Sequence, residues 1–331
     1  MHGFGVTEAL AGLPDWVAAL FAVLTQLGDA WFLFAGVSLL YWRADERFVA
    51  DPRRVGATML ALGVCALATT VALKSLFAVH RPVGAGTAIP PGWLPEALDA
   101  VYRSISTGDG FGFPSGHATG STIVYGGAAL LYDRLGSRRT RFAGAAVVIL
   151  LISLSRLVIG VHLLPDVLAG MAAGSVVLLT TLQVADRRPD STFLVGAGIA
   201  VVGLAIALMG GHMGEATKAA IGIGAGVGGF AEWRRGGDAD RTGASDEGDA
   251  DRTGASDEGD ADRTGASDDG AARRVQVPPL VALVGLPVLG GIWGGVYAAE
   301  PPLPLAALGS GIAVAGIVAV PRLVVWWRER E

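Results

Sequence analysis

Ser155-Arg156-Leu157-Val158-Ile159-Gly160-Val161-His162-Leu163-Leu164-Pro165-Asp166 places an Arg, a His and an Asp at the junction of two long apolar runs, Phe142–Gly160 and Leu163–Val184. Ionisable groups beside hydrocarbon are costly, so in such a pattern they point to function first. Gly160 and Pro165 break the helix near His162. A new helix starting about Pro165 puts Asp166 in its first turn, where its carboxylate can fold back toward the His162 ring. A carboxylate bonded to one ring nitrogen leaves the other free as a base or nucleophile. On this stretch alone, a charged pair closing a helical hairpin explains the residues equally well.

The surrounding composition is that of an integral membrane protein. The 331 residues are 52% hydrophobic and 17% charged, with mean hydropathy +0.51. Several runs exceed the roughly 18 apolar residues that a spanning helix needs. The one cysteine, Cys65, lies in such a run and allows no intrachain disulfide. No Lys or Arg precedes the first run, so no cleaved signal peptide is expected.

Nine runs read as spans: Trp16–Trp42, Val55–Val79, Gly116–Leu135, Phe142–Gly160, Leu163–Val184, Phe193–Gly210, Ala216–Trp233, Pro278–Ala299 and Leu303–Trp327. Asp29 interrupts the first, which is one tilted span or an interfacial helix followed by a short one. Between the seventh and eighth lies Asp238–Gly270, three tandem copies of Asp-Ala-Asp-Arg-Thr-Gly-Ala-Ser-Asp-Glu-Gly, with Asp269 replacing Glu in the last. Each copy carries a net −3. Without a large apolar side chain it cannot order itself by burial, and it lacks the ligand run of a calcium loop. The expected organisation is a membrane core over 1–210, an additional helix over 211–235, an acidic disordered linker over 236–275 and a two-helix membrane segment over 276–331.

If the spans alternate, 17 of the 22 basic residues outside the repeats fall on one side. The other side holds Lys74, Arg81, Arg103, Arg156 and Lys218. The positive-inside rule makes the Arg-rich side cytoplasmic. The N-terminus and the Ser155–Asp166 stretch then face the exterior of the cell membrane, while the acidic linker and C-terminus lie on its cytoplasmic side.

Two further groups fall on that exterior face. The second span ends Lys74-Ser-Leu-Phe-Ala-Val-His-Arg81-Pro82, and Pro114-Ser115-Gly116-His117 opens the third. Three fixed cations suit an anion with several oxygens, and Arg binds phosphate bidentately. Pro114-Ser115-Gly116 at a helix start offers amide N–H groups and a hydroxyl at the positive end of the dipole. Two histidines remain, one for attack and one for protonating a leaving oxygen. Phosphoryl transfer needs little beyond positioning and charge stabilisation.

Lys74-x6-Arg81-Pro82, Pro114-Ser115-Gly116-His117 and Ser155-Arg156-x5-His162-x3-Asp166 together resemble the three-part signature of the type 2 phosphatidic acid phosphatase superfamily, in order and spacing. That superfamily includes lipid phosphatases, bacterial acid phosphatases and vanadium haloperoxidases. The resemblance covers about Trp16–Gly210, the six-helix core of its membrane members. It implies that His162 is the nucleophile and forms a phosphohistidine, that Asp166 orients it, and that His117 is the general acid and then the base. Lys74, Arg81, Ser115, Gly116 and Arg156 would hold the phosphoryl oxygens. It also implies an enzyme needing no metal or other cofactor. The haloperoxidases are soluble, so nine spans argue against their chemistry.

Singly, these residues have plain structural readings: a snorkelling Lys74, a turn at Arg81-Pro82, an N-cap at Ser115. Jointly, those readings leave the shared face and the spacing unexplained. The expectation is therefore an all-α membrane protein, a metal-independent lipid phosphatase acting on a phosphate monoester or a polyprenyl pyrophosphate. A lipid phosphotransferase at the same site and a non-catalytic anion-binding or transport protein are the alternatives. The expected partners are the lipid phosphate and the bilayer, with no nucleic acid and no oligomeric state assigned. His80, Arg103, Asp109, Asp29 and the group His212, Glu215 and Lys218 remain polar residues near that face without a role.

Overall fold

In the computed structural model, residues 5–10, 12–43, 45–250, 276–328 and 330 are described, and they contain twelve α-helices and no strand. The helices are α1 Val6–Leu10, α2 Asp15–Leu24, α3 Ala30–Arg43, α4 Pro52–Phe77, α5 Asp99–Ser106, α6 Gly116–Leu131, α7 Arg138–Val158, α8 Leu164–Val184, α9 Pro189–Met209, α10 Met213–Ala250, α11 Pro279–Ala299 and α12 Leu303–Arg328.

Each expected apolar run coincides with a helix, the first with a bent pair. A 3-10 turn, Thr25–Gly28, separates α2 from α3, and the two are bent by 50°. Among the described residues, six helices are long and apolar enough to cross a membrane, or seven with the bent pair taken as one. Length and composition thus support six or seven of the expected nine. Helix α6 has 16 residues, about 24 Å of helix against roughly 30 Å of hydrocarbon. Helix α10 carries many glycines, which contribute little hydropathy. It also continues to Ala250, past the expected boundary at 235. The rest of the acidic segment, 251–275, lies outside the described residues.

Helix α4 is the hub and packs against α3, α6, α9 and α10. Apolar on all sides, it is buried on all sides: Met59, Leu60, Leu62 and Val64 have no exposed surface. Helices α7, α8, α9, α11 and α12 instead expose rows such as Val147, Leu150 and Leu154, or Leu280, Leu283 and Val284. Such faces are those of a membrane protein. The C-terminal helices are tied to the N-terminal part. Trp42 Nε1 donates to the Ile317 carbonyl at 2.8 Å and the Tyr41 hydroxyl to that of Val318 at 3.0 Å.

The order of the helices brings the end of α4, the start of α6, the end of α7 and the start of α8 to one end of the bundle. Ser115 N–H donates to the Asp166 carbonyl at 2.9 Å, joining α6 to α8. A side chain at Gly170 would meet the Ser115 carbonyl at 2.7 Å, so the close approach of α8 to α6 requires glycine there. The arginines cluster at the other end, where Arg54 Nη2 donates to the Asp186 carbonyl and Arg134 Nη1 to that of Glu46.

Candidate active site

Helix α4 delivers Lys74 in its last turn and stops at Ala78, whose φ of 48° lets its N–H close back on the Lys74 carbonyl at 2.9 Å. The chain then runs extended through His80, which pairs with Phe111 across a single bridge, and Gly112 N–H donates to the Val79 carbonyl. This pairing fixes Arg81. Its Nε donates to the Asp109 carbonyl at 2.7 Å and its Nη1 to that of Val161 at 3.1 Å. The guanidinium lies against Gly108, where an added Cβ would stand 2.7 Å from Nη1.

Arg81 Nη1 is also 3.0 Å from His162 Nε2. A guanidinium only donates, so Nε2 is the acceptor and the neutral ring carries its proton on Nδ1. Nδ1 faces Asp166 Oδ2 at 3.4 Å without making a hydrogen bond to it, and Nδ1 has no other hydrogen-bond partner among the described residues. The same Oδ2 accepts Leu163 N–H at 2.8 Å, capping α8. Gly160, with φ +73°, makes the turn that returns the chain to this position. The ring is 1% exposed. Burial, then the charges of Arg156, Arg81 and Lys74, hold its pKa well below the usual histidine range.

Arg156 ends α7 and is buried. Its Nη1 donates to Thr25 Oγ1 at 2.8 Å, while its Nε has no hydrogen-bond partner among the described residues. Ser115 caps α6, its Oγ accepting Ala118 N–H at 3.5 Å. His117, in the first turn of α6, has Nε2 3.8 Å from Asp29 Oδ2 and without a hydrogen-bond partner among the described residues. Lys74, Arg81, Gly116, His117, Arg156 and His162 line one cavity of about 740 Å³. Ser115 and Asp166 do not line it and stand behind the residues that do.

All eight residues expected from the sequence thus converge. The structure adds Asp29 and Thr25, from the bent N-terminal pair, and Lys218, which lines the same cavity and pairs with Glu215 at 3.1 Å. An acid interrupting an apolar run was the sequence signal for Asp29, and its partner across the bundle was not legible. Among the described residues no group of three or more His, Cys, Asp or Glu side chains is placed to hold a metal ion.

Residues 54–190 match the family model of the PAP2 superfamily. They belong to that superfamily. The PAP2 segment contains all eight converging residues and runs from α4 to the start of α9. Helices α2, α3 and α10 to α12 lie outside it. No curated protein matched the chain, and no solved structure did.

PAP2 membership brings phosphatase activity on phosphate esters as the coarse reading of the cavity. Three cationic side chains around one buried imidazole agree with it, because a phosphoryl group is a compact anion that distributes charge over several oxygens.

Proposed function

We propose that the protein is a membrane phosphatase that hydrolyses a lipid phosphate monoester or a polyprenyl pyrophosphate through a phosphohistidine, without a metal. The observation that carries this reading is the Arg81 Nη1 to His162 Nε2 contact inside a cavity that also holds Lys74, Arg156 and His117. The guanidinium donates to the nitrogen that must attack. A phosphoryl oxygen is a stronger acceptor than imidazole, so substrate takes Arg81 over and frees the Nε2 lone pair.

Attack forms the Nε2–P bond as the bond from phosphorus to the leaving oxygen breaks. His117 supplies the proton that the leaving alkoxide takes. Water then attacks phosphorus, His117 accepts its proton, and the Nε2–P bond breaks to release phosphate. Asp166 balances the charge that the His162 ring gains in the first step. The Gly116 amide adds a donor at the positive end of α6, which Ser115 Oγ caps from behind. The site opens toward the outer leaflet, with the N-terminus outside and the acidic segment and C-terminus in the cytoplasm, following the arginine distribution. Phosphate release from lipid phosphates by the purified protein in detergent and EDTA tests the reading. Release that depends on a divalent cation would count against the metal-free site.

Two consequences can be measured. Gly108→Val is expected to push the Arg81 guanidinium away from His162 and lower kcat/KM about ten- to hundredfold, or roughly 1.4–2.7 kcal/mol. The contact involves the end of a side chain, so the melting temperature should stay unchanged; a parallel loss of stability would contradict the assignment to Arg81. The second concerns pH. Because His162 resists protonation, its ring should stay neutral as pH falls through the ordinary value of about 6.5. The unfolded chain binds that proton first, so this residue's contribution to stability declines as pH falls below ~6.5. Histidine ring resonances, with that of His162 assigned by its substitution, check this: a midpoint near 6.5 would contradict the buried cationic surroundings.

A further inference from the structure

The cavity extends well beyond the phosphate-sized end that holds His162. Phe34 of α3, Leu67 of α4, Leu289 and Trp293 of α11, and Val314 and Ile317 of α12 line its remainder. About 740 Å³ is far more than a phosphoryl group occupies and is of the size that takes a whole amphiphilic molecule. The wall is apolar, and it is continuous with the cations.

Two details show that this part is built rather than left over. Trp293 is 8% exposed, its ring lies 5.0 Å from Phe34, and its indole N–H has no acceptor among the described residues. A buried donor without a partner at a cavity wall suits an ester, ether or hydroxyl oxygen of a ligand. Gly294, one residue on, also lines the cavity, and a side chain there would meet nothing within 4 Å.

We propose that α11 and α12, which lie outside the PAP2 segment, form with α3 and α4 the binding site for the hydrocarbon chain of the substrate. Trp293 donates to the polar atoms between chain and phosphate. This rests on the phosphatase reading for the identity of the headgroup. The occupant is the substrate's own chain, because one cavity joins the apolar wall to Lys74, Arg81 and Arg156. The two C-terminal helices thus set selectivity for chain length without touching the chemistry.

Crosslinking tests the site without turnover. A hexadecyl phosphonate carrying a diazirine at its chain end is photolysed on the intact protein in detergent. Adducts within 279–328, competed by unlabelled phosphonate, are expected; adducts confined to α4 through α8, or insensitive to competition, would overturn the proposal. Activity then separates chain from chemistry. Gly294→Phe should lower kcat/KM for a hexadecyl phosphate by about tenfold or more and leave butyl phosphate within about twofold. Gly295→Phe, equally unhindered but off the cavity, should change neither. Equal losses on both substrates, or none on the long one, would contradict the chain site. Competed adducts in 279–328 on a protein that releases no phosphate from either substrate would leave the chain site standing and remove the phosphatase reading instead.

Discussion

Replacing His162 by Asn is expected to lower phosphate release by about a thousandfold or more, with the fold and the affinity for inorganic phosphate little changed. The substitution removes the Nε2 lone pair that Arg81 Nη1 faces at 3.0 Å. His117 belongs to another helix and has a different set of neighbours. Lys74, Arg81 and Arg156 remain to bind the anion, so the loss should fall on kcat. Thermal unfolding and competition by phosphate check the two controls. A variant that keeps a tenth of the native rate would mean that water, not His162, attacks phosphorus.

The second large effect belongs to His117. Its replacement by Ala should cost about 10²–10⁴ in turnover of an alkyl phosphate, the usual scale of a general acid. An aryl phosphate leaves as a stable phenoxide and needs little protonation, so its turnover should fall by only about tenfold. The ratio of the two substrates is the readout, because a merely disturbed site would lower both alike. Asp29→Asn should move that ratio in the same direction by a smaller factor. The carboxylate stands 3.8 Å from His117 Nε2 and attracts a proton held there.

These two histidines were legible because the chemistry restricts both residue type and spacing. The Gly160 and Pro165 breaks likewise placed Asp166 in the first turn of α8, on the His162 ring, as the local sequence rules require. What could not be read is what depends on contacts across the bundle. Asp29 stood out as an acid in an apolar run, but its approach to His117 depends on the 50° bend that turns the Thr25–Gly28 segment inward. Thr25 looked like an ordinary helical residue until Arg156 reached it. Ser115 and Asp166 carry the signature as strongly as His162, yet they do not line the cavity.

The C-terminal helices show the same limit at larger scale. Their hydropathy announced them, while their place beside α3 rests on Trp42 and Tyr41 reaching carbonyls about 275 positions away. No periodic pattern encodes such a pairing. The length criterion leaves α6 out of the span count for a related reason. Helix α6 is enclosed by α4, α7 and α8, so it can be short and begin with polar residues that a lipid-facing helix could not carry.

The central claim is that phosphorus changes partners twice, first to His162 and then to water or another acceptor. The stereochemistry at phosphorus tests it most directly. A phosphate monoester made chiral with oxygen isotopes, transferred by the protein to an added alcohol in EDTA, should give a product with configuration retained, since two in-line displacements each invert. Inversion would mean a single direct displacement and would contradict the phosphohistidine account.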